Sequence, residues 1–209
     1  YGYNLSAGYS EWGNRLAASG YLVHSSSTTP LTAELLSCYD VVVISSPGLN
    51  FSESELAAVK EFVGRGRVIA AGDGDLFAGD FIYEQDNERM AVEYVDWLAS
   101  GEGGGLLIMG GEYVDWLPPM GTGGPEPLIG NDNANQIAEL FGLHFNTDVI
   151  FDPLRYDEVK SRPVLGPRDD LLVINASSLS ISKDAFALAR TTASGYSLVP
   201  TASDMPSAP

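Results

Sequence analysis

The residues with the most obvious chemical potential are carboxylates. Asp73, Asp75 and Asp80, with Glu84 and Asp86 close behind, follow the apolar run Val68-Ile69-Ala70-Ala71. Open α/β sheets take their ligands at the carboxyl ends of strands. Several hard oxygen ligands on one such loop make Asp73, Asp75 and Asp80 candidates for holding Ca²⁺ or Mg²⁺. Their spacing is not that of an EF-hand, and Asp73 and Asp75 have a competing role in capping the turn or bonding backbone amides. Glu112 follows a second apolar run, Leu106-Leu107-Ile108-Met109, through Gly110-Gly111. Asp73 and Glu112 together would supply the two carboxylates of an acid–base hydrolase. Tyr113, Trp116 and Tyr156 lie in loop sequence, where exposed rings stack on sugars or on a protein partner. For Trp116, binding and burial are both open.

These residues need a scaffold, and the chain alternates strand and helix patterns. Glu11 to Ser19 reads as a helix closed by Gly20, and Tyr21-Leu22-Val23-His24 as a strand. Thr32 to Ser37 is a helical turn. Asp40-Val41-Val42-Val43-Ile44-Ser45 is the β-branched run of a strand buried on both faces. Ser52-Glu53-Ser54-Glu55 is a capping box that opens a helix carrying Leu56, Val59, Phe62 and Val63. Val68 to Ala71 is a strand, Asn87 to Ala99 a helix with Trp97 facing inward, and Leu106 to Met109 a strand. Asn133 to Leu143 reads as a helix and Val149-Ile150-Phe151 as a strand. Helices between short apolar strands predict a mostly parallel sheet covered on both faces. Beyond Pro153 the helical signal fades. Leu171 to Ile174 and Ala185 to Arg190 read as strands of an antiparallel C-terminal extension. Residues 191–209 form a Ser/Thr/Pro-rich, linker-like tail without Lys or Arg, behind a domain spanning 1–190. The hexapeptide Glu93 to Leu98 recurs as Glu112 to Leu117, without the sustained period of a repeat fold.

Composition narrows the partners. The formal net charge is −17, from 28 acidic and 11 basic residues. Such a surface repels nucleic acid and anionic membranes, and favours cations, basic partners or plain solubility. No apolar run reaches the roughly 20 residues that span a bilayer. Cys38 is the one cysteine, so an internal disulfide and a thiolate cluster are both excluded. Following Leu35-Leu36, it is expected to be a buried structural thiol. Asn4-Leu5-Ser6, Asn50-Phe51-Ser52 and Asn175-Ala176-Ser177 are Asn-x-Ser sequons, which fit an extracellular or cell-surface setting. The glycine runs 101–105 and 121–124 lack the context of a dinucleotide-binding loop.

The order of motifs has a parallel. Tyr9-Ser10-Glu11-Trp12 through Gly20-Tyr21-Leu22-Val23 leads to Leu35-Leu36 and Tyr39-Asp40-Val41-Val42-Val43-Ile44. Phe51-Ser52-Glu53-Ser54-Glu55-Leu56, Gly72-Asp73-Gly74-Asp75-Leu76-Phe77, Ile137 to Asn146 and Val173 to Ile181 follow. Over residues 8–190 this resembles the class I glutamine amidotransferase-like superfamily. The nearest branch is the non-catalytic one of gliding-motility and intraflagellar-transport proteins. The resemblance implies a flavodoxin-like three-layer α/β sandwich, and in active members a Cys at a strand-to-helix elbow served by His and Glu. Here the matching elbow is Ala70-Ala71-Gly72-Asp73-Gly74, without Cys, and neither His24 nor His144 has a Glu two residues on. Acyl transfer needs nucleophile, base and oxyanion hole together. The expectation is therefore a binding or spacer domain for a protein or glycan ligand. It would need no cofactor, and flanking domains would make it a fragment of a larger chain. The alternative is a hydrolase built on Asp73 and Glu112, with or without a divalent metal. The family fold opens with a strand, and only Tyr1-Gly2-Tyr3-Asn4 stands before Ser6 to provide one.

Overall fold

The computed structural model describes residues 8–26, 29–45, 50–64, 66–72, 74, 76–83, 87–110, 131–151, 176–185, 187 and 195–198. Three strands form a parallel sheet: β1 (Val41–Ser45), β2 (Arg67–Ala71) and β3 (Gly105–Met109). β3 lies in the middle, with Gly105 in register with both Val41 and Arg67. The α-helices among the described residues are α1 (Ser10–Ala18), α2 (Ala33–Leu36), α3 (Glu53–Val63), α4 (Asn87–Ala99) and α5 (Asp132–Ala138). The fold is thus mixed α/β.

Side chains alternate across β3 and feed two cores. Leu107 and Met109 join Ile69 against Trp12 and Leu16 of α1 and Met90, Tyr94 and Leu98 of α4. Leu106 and Ile108 join Ile44 against Leu36 of α2, Val59 and Val63 of α3, and Ile137 of α5. The division follows from connectivity. The chain crosses from β1 to β2 through α3, then steps back to β3 through α4. Right-handed crossovers running in opposite directions place their helices on opposite faces.

Local chemistry sets the helix starts. Ser52 accepts from the Glu55 N–H while Glu55 reaches back to the Ser52 N–H at 2.9 Å, completing the capping box expected at α3. The other Glu55 oxygen accepts from the Leu31 N–H at 3.2 Å, tying the approach to α2 to the start of α3. Thr32 caps α2 through the Leu35 N–H. The Arg67 guanidinium lies 4.9 Å above the Trp97 ring and donates to the Trp97 carbonyl, clamping the start of β2 to the end of α4. Trp97 is accordingly half-buried against the core it was expected to face.

Two antiparallel ribbons complete the described structure. β4 (Leu143–Phe145) pairs with β6 (Leu179–Ile181), and β5 (Val149–Phe151) with β7 (Tyr196–Leu198). β5 therefore does not extend the parallel sheet, and β7 falls inside the 191–209 stretch read as linker-like. The helix expected over Asn133 to Leu143 ends earlier. After Ala138 it tightens into a 3₁₀ turn (Glu139–Phe141), and Gly142 at φ 72° stops it. Ala185 and Ala187 carry no strand, and the rest of the run to Arg190, like Leu171 to Ile174, lies outside the described residues.

Two further expectations are corrected. Tyr21 to His24 joins no ladder among the described residues. Its alternation is real, since Tyr21 and Val23 pack on the core while Leu22 is 90% exposed. The Tyr21 hydroxyl donates to Asp96 at 2.6 Å, and burial together with that bond pushes its pKa up to about 12. Cys38 is exposed rather than buried. It sits in the turn after α2, where Leu36 takes the inward position and the thiol turns toward the Glu34 carbonyl.

The Glu55 contacts make stability depend on acid. The Ser52 N–H, then the Ser52 hydroxyl and the Leu31 N–H, hold the Glu55 carboxyl below its usual range. A depressed folded pKa contributes stability above the unfolded value, near about 4.3, and loses it as pH falls through the folded value. Glu55→Gln is expected to be less stable by at most about 1 kcal/mol at pH 7, with the difference shrinking at a second, acidic pH as the folded carboxyl becomes protonated. Urea unfolding at the two pH values checks this. A difference that persists at the lower pH would refute the assignment.

Candidate functional site

The parallel register brings Ser45, Ala71 and Met109 level at the carboxyl edge of the sheet, where an open α/β fold places its ligands. The chain leaves β2 through Gly72 and β3 through Gly110. Asp73 and Asp75 belong to this turn by sequence, but both lie outside the described residues. So do Glu84, Asp86, Glu112, Tyr113, Trp116 and Tyr156. Asp80 falls on the 3₁₀ turn Gly79–Tyr83 that follows. Among the described residues no group of three or more His, Cys, Asp or Glu side chains converges on one point.

Uncharged groups occupy the edge instead. Above β1, the buried Tyr9 hydroxyl lies 2.5 Å from Ser45 Oγ and donates to the Gly74 carbonyl, so Ser45 donates to Tyr9. Tyr9 precedes α1, and its ring stacks edge-on against Trp12, which fixes its position. Above β2, the Gly72 carbonyl accepts from the Ser177 N–H at 2.8 Å. A Cβ on Gly72 would stand 2.0 Å from the Ser177 carbonyl oxygen, so the residue is glycine for close approach. Above β3, Gly110 donates to the Ala71 carbonyl at 2.8 Å, and a Cβ there would stand 2.7 Å from Asn131 Oδ1 and from the Phe145 ring. Asn131 Nδ2 donates to Ser177 Oγ at 2.7 Å and joins the two covers.

A polar network backs this cover. Asp148 is 5% exposed and is the one buried carboxylate among the described residues. It accepts from the Ser178 N–H and from Ser178 Oγ, both at 2.7 Å. Asn146 Nδ2 donates to Ser178 Oγ at 2.8 Å. Asn135 pairs with Phe145 as a strand would, accepting from its N–H at 2.7 Å and donating to its carbonyl at 2.9 Å. Asp148, Asn131 and Asn135 were not singled out by sequence, and Ser177 only as the last residue of a sequon. The available signal was the density of Asn and Ser around 131–148 and 175–180, which reads equally as loop.

Among the described residues, the thiol and the imidazoles lie away from this edge. Cys38 precedes β1 and so sits at the amino edge, with the roughly 13 Å length of β1 between it and the ligand edge. His24 stacks edge-on against Tyr39, also before β1. His144 faces outward from β4, its Nδ1 2.8 Å from Glu139 Oε1. Two open surface grooves lie away from the carboxyl edge. One, of about 500 Å³, runs between α1 and α4 beside Arg15 and Glu88. The other, of about 310 Å³, flanks His144 and Ser180. No helix among the described residues is long and apolar enough to cross a membrane. No family matches the chain, and neither a curated protein nor a solved structure matches it significantly.

Gly72→Ala tests the closed edge. The added methyl meets backbone that cannot move without breaking the Ser177 N–H bond. The expected loss is about 3 kcal/mol, read as a lower urea midpoint. A near-neutral Gly72→Ala would mean that residues 176–177 do not lie over β2.

Proposed function

We propose that the chain is a non-catalytic binding or spacer domain of the amidotransferase-like type. It works within a larger secreted or cell-surface protein, beside flanking domains, and its ligand is a protein or a glycan. One observation carries the reading. The described carboxyl edge is closed by Tyr9, Asn131 and Ser177, and it presents hydroxyls and amides where an amidotransferase needs thiol and imidazole. The Ser45 and Ser177 hydroxyls are bonded there to Tyr9 and Asn131, and neither partner is a base of the kind that activates a serine.

Helical layers on both faces of a parallel sheet support the flavodoxin-like part of the reading. The strand order is a departure, because β3 lies between β1 and β2 where the flavodoxin order keeps consecutive strands of that half side by side. Sequons and an acidic surface support an extracellular position. Tyr113, Trp116, Asp73, Asp75 and Glu112 are the proposed contacts to the ligand. The second reading, a hydrolase, is favoured by the position of Asp73 between Gly72 and Gly74 at the ligand edge. In that case Asp73 and Glu112 share the proton transfers, with Ca²⁺ or Mg²⁺ on Asp73, Asp75 and Asp80.

Turnover separates the two. The purified chain, Asp73→Ala and Glu112→Ala are incubated with glutamine and with p-nitrophenyl esters, with and without Ca²⁺ or Mg²⁺. The binding-domain reading expects no turnover above buffer and no metal-dependent shift in melting temperature. Activity present in the parent and lost in both variants would establish the hydrolase in its place.

A further inference from the structure

We propose that Asn50 is an N-glycan acceptor, so that the surface where α3 begins carries a covalently attached oligosaccharide. The inference rests on the extracellular position proposed above and adds a site to it. Asn50-Phe51-Ser52 has the Asn-x-Ser pattern, with an aromatic residue rather than proline in the middle. Asn50 and Ser52 are exposed, while Phe51 packs into the core beneath α3 and anchors the backbone between them.

The side chain of Asn50 is held in a usable direction. Its Oδ1 accepts from Gln136 Nε2 at 3.0 Å, and the Gln136 Oε1 accepts from the Phe51 N–H at 2.9 Å. One amide on α5 thus engages both residues. Oδ1 and Nδ2 diverge from the same planar carbon, so an oxygen turned toward Gln136 leaves the nitrogen turned away from it. Nδ2 is the atom that carries the sugar. Ser52, the hydroxyl residue of the sequon, is extended at φ −73° and ψ 158° before it caps α3. The acceptor therefore lies on an exposed, extended approach to a helix, where a bulky hydrophilic group displaces no packing.

The chemistry needs a lipid-diphosphate-linked oligosaccharide as donor. Nδ2 attacks the anomeric carbon of the donor, and the new carbon–nitrogen bond forms as the bond to the diphosphate oxygen breaks. The lipid diphosphate leaves with the electron pair, and the amide loses one proton to the transferase base.

Protein recovered from its native source is digested, and the peptide containing Asn50 is weighed before and after peptide-N-glycosidase treatment in heavy-oxygen water. The expected result is a glycan mass on that peptide, replaced after treatment by a heavy-oxygen aspartate at position 50. Asn50→Gln removes the glycan mass and keeps the protein folded. Unmodified Asn50 in protein recovered from outside the cell overturns the proposal and leaves the extracellular reading standing. Recovery from inside the cell without any glycan overturns both.

Discussion

Everything described here hangs on β3. Leu106, Leu107, Ile108 and Met109 are fully buried, and alternate residues belong to different cores. Each contributes about 1.5–3 kcal/mol by leaving water, and together they join two helical layers that otherwise share little. A strand in that position must be apolar on both faces, which leaves it no polar side chain to offer a ligand. Function is pushed to the strand ends. There the two glycines that leave β2 and β3, Gly72 and Gly110, let backbone and side chains approach within distances that no Cβ would allow.

What could be read in advance was what one local pattern decides. The capping box at Ser52 and Glu55 formed as written, because a hydroxyl and a carboxylate three residues apart satisfy each other's backbone donors. The helix over Asn87–Ala99 kept both expected ends. The β-branched run at Val41 became a sheet strand, but at the described edge of the sheet, with Val43 38% exposed rather than buried on both faces. Failures came where a distant partner decides. Tyr21 to His24 alternates correctly and still joins no ladder among the described residues, because alternation specifies faces and not neighbours. Cys38 follows two leucines, but the turn after α2 rotates it outward. Gly142 cut the last helix short, a stop that requires its left-handed backbone and competes with an apolar pattern running through it.

The site was less legible than the fold for the same reason. Acidic residues after a strand draw attention because their chemistry is strong, yet Asp73, Asp75 and Glu112 are placed by sequence alone. The groups that meet at the described edge come from five separated stretches: Tyr9, Ser45, Gly72 with Gly74, Asn131, and Ser177. Each is an ordinary polar or small residue. Only three-dimensional convergence marks them, and convergence between residues 9 and 74, or 72 and 177, has no periodic signature.

Convergence also sets the energetics of any ligand that would enter from this side. Reaching the ends of β2 and β3 requires the Ser177 N–H to leave Gly72 and the Asn131 amide to leave Ser177 Oγ. Each buried polar group left without a partner costs about 1–3 kcal/mol. Asp148 raises the barrier further. Its two bonds to Ser178 are charge-assisted, and such bonds contribute roughly twice as much as neutral ones. A ligand would have to reproduce those bonds before it gained any affinity. A partner that instead meets the outer surfaces disturbs none of them. The sheet edge therefore acts as the latch that holds residues 131–148 and 176–178 onto the core.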